Sequence, residues 1–205
     1  MSKPTRASKF LLNLLLLAIF TAACAHRPNA YETGEAFREG TKVLSAALPF
    51  KPGTAFRVRQ GPFDESSHSE PGAEYAWDLD VPLLTTVHAV ADGRVFHIFQ
   101  PPNAMGGCDP KYAAQAWNVL VEHKDGSVSQ YTHVEARVKE NQAVARGDVI
   151  GVTTWRGYMC RPHLHFMAWS SKDELYASPR RKSIPVRFTG VPDGLLLTGK
   201  LYQVP

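Results

Sequence analysis

Between Leu48 and Phe188, apolar and polar residues alternate in short runs, and Gly, Pro or an Asp-Gly pair closes most of them. Neighbouring side chains on a strand point to opposite faces, so such alternation buries one face and wets the other; an amphipathic helix would need apolar residues every third or fourth position. Phe56-Arg57-Val58-Arg59-Gln60 shows the pattern plainly. Tyr75 to Val81 repeats it, with Trp77, Leu79 and Val81 on one face and Ala76, Asp78 and Asp80 on the other. Ala116 to Val121 and Val128 to His133 flank Lys124-Asp125-Gly126 as a hairpin, and Val87 to Val95 reads as a second one turned at Asp92-Gly93. Val144 to Val152, broken at Arg146-Gly147-Asp148, and Ile184 to Phe188 add further strands, while 101–115 is a long loop. Many short strands set between turn signals predict a mainly β, compact single domain with antiparallel sheets, spanning 48–190. Residues 24–47, mostly polar with a weak helical pattern over Glu35 to Ala47, read as a tether with a short helix, and 191–205 as a C-terminal tail.

The formal charge of +4 is concentrated at the start. Lys3, Arg6 and Lys9 have no acidic counterpart in residues 1–23, so 23 − 3 = 20 basic residues face 19 acidic ones in the rest. A near-neutral body gives no electrostatic footprint for nucleic acid, and that class of partner is excluded. The basic start leads into an apolar run from Phe10 to Phe20, too short for a comfortable membrane span and of the length of an export signal. Thr21-Ala22-Ala23-Cys24 closes it and resembles the lipobox of bacterial lipoproteins, with Thr21 where Leu is usual. Residues 1–23 are therefore read as a lipoprotein signal peptide with Cys24 as the lipid attachment point; cleavage beside Ala23 or Ala25, releasing a soluble protein, is the alternative. With Cys24 lipidated, Cys108 and Cys160 remain as an even pair in an oxidising compartment, where a disulfide persists. Two free thiols, or Cys160 as a metal ligand, are the competing readings.

His163 and His165 flank Leu164 in Arg161-Pro162-His163-Leu164-His165-Phe166, which reads as strand and points both imidazoles at one spot. Neutral imidazoles suit zinc. A bare His-x-His also fits two histidines with ordinary surface or core roles. An acid in mid-strand is costly to bury unless paired or bound to metal, which brings in Asp78 or, equally well by geometry, Asp80. His68 ends a polar loop and His133 ends a strand. His88, His97 and His123 read as structural or surface residues, and Tyr131 as lining a cleft.

Ser67-His68, Tyr75-Ala76-Trp77-Asp78, Ala91-Asp92-Gly93-Arg94-Val95, Gln130-Tyr131-Thr132-His133, Gly147-Asp148-Val149-Ile150-Gly151 and Pro162-His163-Leu164-His165-Phe166 stand in this order along the chain. Together they resemble the lysostaphin-type (LytM-like) zinc metallopeptidases over about residues 48 to 189, and Ser183 to Phe188 resembles a segment after the catalytic core in one branch. The resemblance implies a β-rich domain of the duplicated-hybrid-motif type with an open groove. It implies one zinc ion held by His68, Asp78 (through the match Tyr-Ala-x-Asp) and His165, with His133 and His163 activating water and stabilising the oxyanion. It implies endopeptidase action on the stem peptides or cross-bridges of bacterial peptidoglycan, by a monomer in the cell envelope. The His68–Asp78 spacing is longer than in lysostaphin itself, and Leu83-Leu84-Thr85-Thr86 lacks the usual Gly-Thr-Pro. A catalytically silent peptidoglycan-binding or hydrolase-activating module is the competing function, and retention of all five residues argues against it. Replacing Cys24 by Ser is expected to shift the protein from the membrane to the soluble fraction on cell fractionation; continued sedimentation with membranes would exclude lipidation.

Overall fold

The computed structural model describes residues 28–176 and 181–205; Cys24 and the export signal lie outside the described residues. The described chain is built of β1 (Leu44–Ala46), β2 (Ala55–Gln60), β3 (Ala76–Asp80), β4 (Thr86–His88), β5 (Gly93–Phe99), β6 (Gly106–Gly107), β7 (Asn118–Glu122) and β8 (Val128–Thr132). It continues with β9 (Val134–Ala136), β10 (Ala143–Val144), β11 (Val149–Thr153), β12 (Gly157–Tyr158), β13 (Leu164–Trp169), the short helix α1 (Lys172–Tyr176), β14 (Val186–Phe188) and β15 (Leu201–Gln203). Eight strands make one sheet in the order β10-β5-β7-β8-β13-β3-β2-β15, antiparallel throughout. β4, β11 and β9 form a second sheet, and two small parallel pairs, β1 with β14 and β6 with β12, complete the fold. The mainly β, antiparallel architecture expected from the alternation is the one observed.

Register explains the core. Phe166 lies opposite both Trp77 and Tyr131, and Tyr131 opposite Val119, so one row across four central strands is fully buried. Phe188 and Tyr31 pack edge-on against Trp77 at 5.2 and 5.4 Å between ring centres. Aromatic rings of this size each remove roughly 150–250 Å² from water, which makes this row the main apolar anchor of the sheet. Tyr131 therefore belongs to the core and does not line a cleft. The opposite sheet face carries a smaller apolar cluster of Ala76, Leu120, Val128, Met167 and Trp169.

Four expectations are corrected. The tether is packed from its first described residues: Asn29 donates to the Pro62 carbonyl, Tyr31 is fully buried, and β1 runs parallel to β14. The helical pattern over Glu35 to Ala47 yields only a 3-10 turn at Glu35–Phe37, too short to outcompete strand pairing by Leu44–Ala46. The expected tail is the edge strand β15, and Leu196 is fully buried. Lastly, Asp92-Gly93 is not a hairpin turn. β4 pairs with β11 while β5 pairs with β7 and β10, so the chain passes there from one sheet to the other. Asp92 Oδ1 accepts from the Arg146 N–H and its carbonyl from His123 Nδ1, holding a corner instead. Gly93 is needed there because a Cβ would lie 2.4 Å from the Glu122 carbonyl oxygen. The hairpin at Lys124-Asp125-Gly126 forms as expected, with Gly126 at φ +80°.

His123 closes a buried polar chain. Its Nδ1–H donates to the Asp92 carbonyl, its Nε2 meets Ser129 Oγ at 3.0 Å, and Ser129 Oγ lies 3.2 Å from the Tyr131 hydroxyl, which accepts from the Val90 N–H. Burial disfavours the charged ring and lowers the His123 pKa. The unfolded chain then takes up the proton first, so stability is full above the ordinary histidine pKa of about 6.5 and falls as the pH drops below it. Urea unfolding on either side of pH ~6.5 is expected to show this slope, and His123→Gln to flatten it.

Candidate metal centre

The centre grows out of one polar row across the sheet. Asp78 on β3 lies opposite Gln60 on β2 and His165 on β13, and His165 opposite Thr132 on β8. Directly opposed residues share a face, so antiparallel register alone brings Gln60, Asp78, His165 and Thr132 together. The row beside it is the buried aromatic row on the opposite face, which fixes the backbone beneath the polar groups.

Histidines from loops complete the arrangement. His68 is fully buried; its Nδ1–H donates to the Gly61 carbonyl at 2.9 Å, which leaves the Nε2 lone pair facing Asp78 Oδ1 at 3.4 Å. That nitrogen has no hydrogen-bond partner. His163 Nδ1 donates to the Arg161 carbonyl at 2.9 Å, and its Nε2 lies 3.5 Å from Asp78 Oδ1. His165 Nδ1 meets the same oxygen at 2.8 Å, while Gln60 Nε2 donates to Asp78 Oδ2 at 3.0 Å. Burial would push the Asp78 carboxyl up, but the hydrogen bond from His165 and the adjoining His68 and His163 rings overcome it and hold the acid well below its ordinary range. Asp78 is thus a carboxylate in the folded protein.

His133 follows β8 with φ +64°, a left-handed conformation that costs a non-glycine residue roughly 1–3 kcal/mol and clusters at functional sites. The turn brings its ring to 4.7 Å from that of His163, centre to centre, and its Nδ1–H donates to the Arg156 carbonyl at 2.6 Å. Burial, with His163 beside it, pushes the His133 pKa down to about 3. The ring is neutral, with its Nε2 lone pair free. Gly157, at φ +100°, packs so close that a Cβ would lie 3.1 Å from His133 Cε1.

All five residues singled out from the sequence meet at a groove of about 430 Å³; His68 forms a buried side of the cluster, and Asp78, His133, His163 and His165 line the groove. Arg59, Gln60, Ser66 and Ser67 contribute from one stretch of chain, and Ala113, Ala116 and Tyr158 to Arg161 from two others. Those two are joined by the β6–β12 pairing and by a disulfide between Cys108 and Cys160, so Cys160 is no ligand. The 101–115 loop is thereby part of the groove's boundary. Asp80, which strand alternation alone could not separate from Asp78, is claimed by Arg59, whose Nε lies 2.9 and 3.0 Å from its two oxygens. His88 and His97 bond to the Gly147 carbonyl and Glu140, away from the centre. Gln60 and the carbonyls of Gly61, Arg156 and Arg161 went unread in the sequence. Only strand register reveals the first, and no residue type signals the carbonyls.

One ligand atom from each of His68, Asp78 and His165 falls within 4.8 Å of the others. Two imidazoles and a carboxylate are a donor set suited to catalytic zinc, and the buried His68 nitrogen lacking any partner is the orphan such an ion would satisfy. The residues fit the metal.

A model of peptidase family M23 matches residues 72–177. Among known proteins, an uncharacterised metalloprotease of Buchnera aphidicola subsp. Baizongia pistaciae is 25% identical over 116 residues, 56% of this chain and 27% of that protein, so the chain spans about a quarter of its length. Among solved structures, the catalytic domain of lysostaphin, the antimicrobial peptidase of Staphylococcus simulans, is 22% identical, with 58% of this chain and 80% of that one covered at a TM-score of 0.40. A zinc-containing peptidase from Vibrio cholerae is 19% identical, with 67% and 37% covered at a TM-score of 0.42. Zinc titration by calorimetry is expected to find one tight ion per chain. Asp78→Ala and His165→Ala should abolish it, because each leaves a two-donor site, whereas His133→Ala should retain it.

Proposed function

The chain belongs to peptidase family M23, and from that premise we propose that it is a zinc-dependent metalloendopeptidase that hydrolyses peptide bonds in the stems or cross-bridges of bacterial peptidoglycan. The observation that carries this reading is the partnerless, buried Nε2 of His68 aimed at Asp78 beside His165, with two further histidines at the same groove. His68, Asp78 and His165 would hold the ion, which would supply Lewis acidity to lower the pKa of water and polarise a carbonyl.

The remaining chemistry belongs to the side chains. Gln60 and the Gly61 carbonyl orient Asp78 and His68, fixing the carboxylate and the tautomer. His133 is neutral, with its proton committed at Nδ1 to Arg156, so Nε2 takes the proton from the attacking water. The same nitrogen returns it to the leaving amine as the peptide bond breaks, which balances the protons over the cycle. His163, steered by the Arg161 carbonyl, donates from Nε2 to the developing oxyanion when it carries a proton there. The two rings stand 4.7 Å apart, centre to centre, which lets one serve the attacking water and the other the oxyanion of a single peptide bond. An envelope location, with Cys24 lipid-anchored, places the groove where its proposed substrate lies.

Digestion of purified peptidoglycan with mass analysis of the fragments tests the proposal. The wild-type protein should release peptide fragments and a chelator should abolish release. His133→Ala and His163→Ala should each lower turnover by ~10²–10⁴-fold with zinc retained. Wild-type turnover in His133→Ala would overturn the role given to that ring, and intact zinc-loaded protein that releases nothing would mark a silent binding module.

A further inference from the structure

Two cations line the groove, and they differ in what they face. Arg59 is neutralised by Asp80, to which it donates through both Nε and a terminal nitrogen. Arg161 is exposed and has no acidic partner among the described residues. The groove's own carboxylate cannot serve it, because Asp78 is enclosed by His68, His163, His165 and Gln60. An uncompensated guanidinium therefore stands beside the residues proposed to carry out the chemistry.

The backbone beneath it is held from both sides. Cys160 is tied to Cys108, Pro162 fixes the next φ, and the Arg161 carbonyl receives the Nδ1–H of His163. The last contact also ties the Arg161 backbone to the His163 ring: moving that backbone would turn the ring. A planar fork on a fixed base matches a carboxylate through two parallel hydrogen bonds, and a fixed base reduces the entropy lost on binding.

We propose that Arg161 is a specificity-determining residue that receives a free carboxylate on the substrate peptide next to the scissile bond. The site would thereby select peptides with an ionised carboxyl group at that position over amidated or uncharged ones. This rests on the peptidase reading for the words scissile bond, but the recognition itself is a binding event and is measured separately.

The test uses a fluorescent peptidoglycan stem peptide and a twin in which the free carboxylates are carboxamides. Equilibrium binding to the full chain is measured by anisotropy in a His133→Ala background, and hydrolysis of both peptides in the wild-type background. The carboxylate peptide should bind at least about tenfold tighter than its twin, as expected for a charge-assisted, bidentate contact. Arg161→Gln should bring the ratio close to one, Arg161→Lys should keep part of it, and added salt should narrow it. In hydrolysis, Arg161→Gln should raise KM for the carboxylate peptide with kcat little changed. Equal binding of the twins, binding of neither, or a preference that survives Arg161→Gln would overturn the assignment. A preference lost in Arg161→Gln without hydrolysis by the wild-type protein would sustain the Arg161 subsite and overturn the peptidase reading. Hydrolysis of both twins at equal kcat/KM with equal binding would do the reverse.

Discussion

A buried carboxylate is the constraint around which this molecule is arranged. Asp78 sits in the middle of a central strand, where an unpaired charge would be prohibitively costly. It is tolerated because His165 Nδ1–H and the Gln60 amide donate to its two oxygens, with the Nε2 atoms of His68 and His163 at 3.4 and 3.5 Å. Two of those groups, Gln60 and His165, come from the neighbouring strands on either side, His163 directly precedes β13, and His68 comes from the loop between β2 and β3. Each imidazole that does not bond Asp78 through Nδ1 hands that proton to a backbone carbonyl. The lone pairs are consequently left on the inner nitrogens. Such an arrangement stores an electron-rich pocket in a rigid sheet.

The rigidity has an identifiable source. The polar row of Gln60, Asp78, His165 and Thr132 and the apolar row of Trp77, Phe166 and Tyr131 are adjacent residues on the same strands, pointing opposite ways. Packing one face therefore positions the other, and a register slip of a single residue would exchange them. Function and stability are written into the same stretches of sequence. The groove's outer boundary is held differently, by the short β6–β12 pair and the Cys108–Cys160 bond, which together supply the Arg156 carbonyl to His133.

Much of this was legible from residues alone. Alternation in Tyr75 to Val81 gave the faces of β3, Lys124-Asp125-Gly126 gave the β7–β8 hairpin, and the ordered motifs gave the five side chains that meet at the groove. What stayed hidden depends on partners distant in sequence. Asp92-Gly93 has the composition of a hairpin turn, yet the hydrogen bonds that make it a corner come from Arg146 and His123. Polar residues 28–43 look like a tether because only Tyr31 and Ala36 are buried there, and the contacts of Tyr31 are with β3, β14 and Leu196. Alternation left Asp78 and Asp80 equivalent and only the Tyr-Ala-x-Asp match chose between them; the physical difference is that Arg59 reaches Asp80, a partner that a pleat does not announce.

The early docking of the chain onto the domain sets a leash. Asn29 and Tyr31 are already fastened to the body, and the five-residue step from Cys24 to Asn29 has a contour of at most ~18 Å, so a lipid on Cys24, as proposed, would hold the domain within that reach of the bilayer. A molecule moored that tightly sweeps a thin shell of space above the bilayer. It would meet the layer of wall that comes to the membrane, not range outward in search of it.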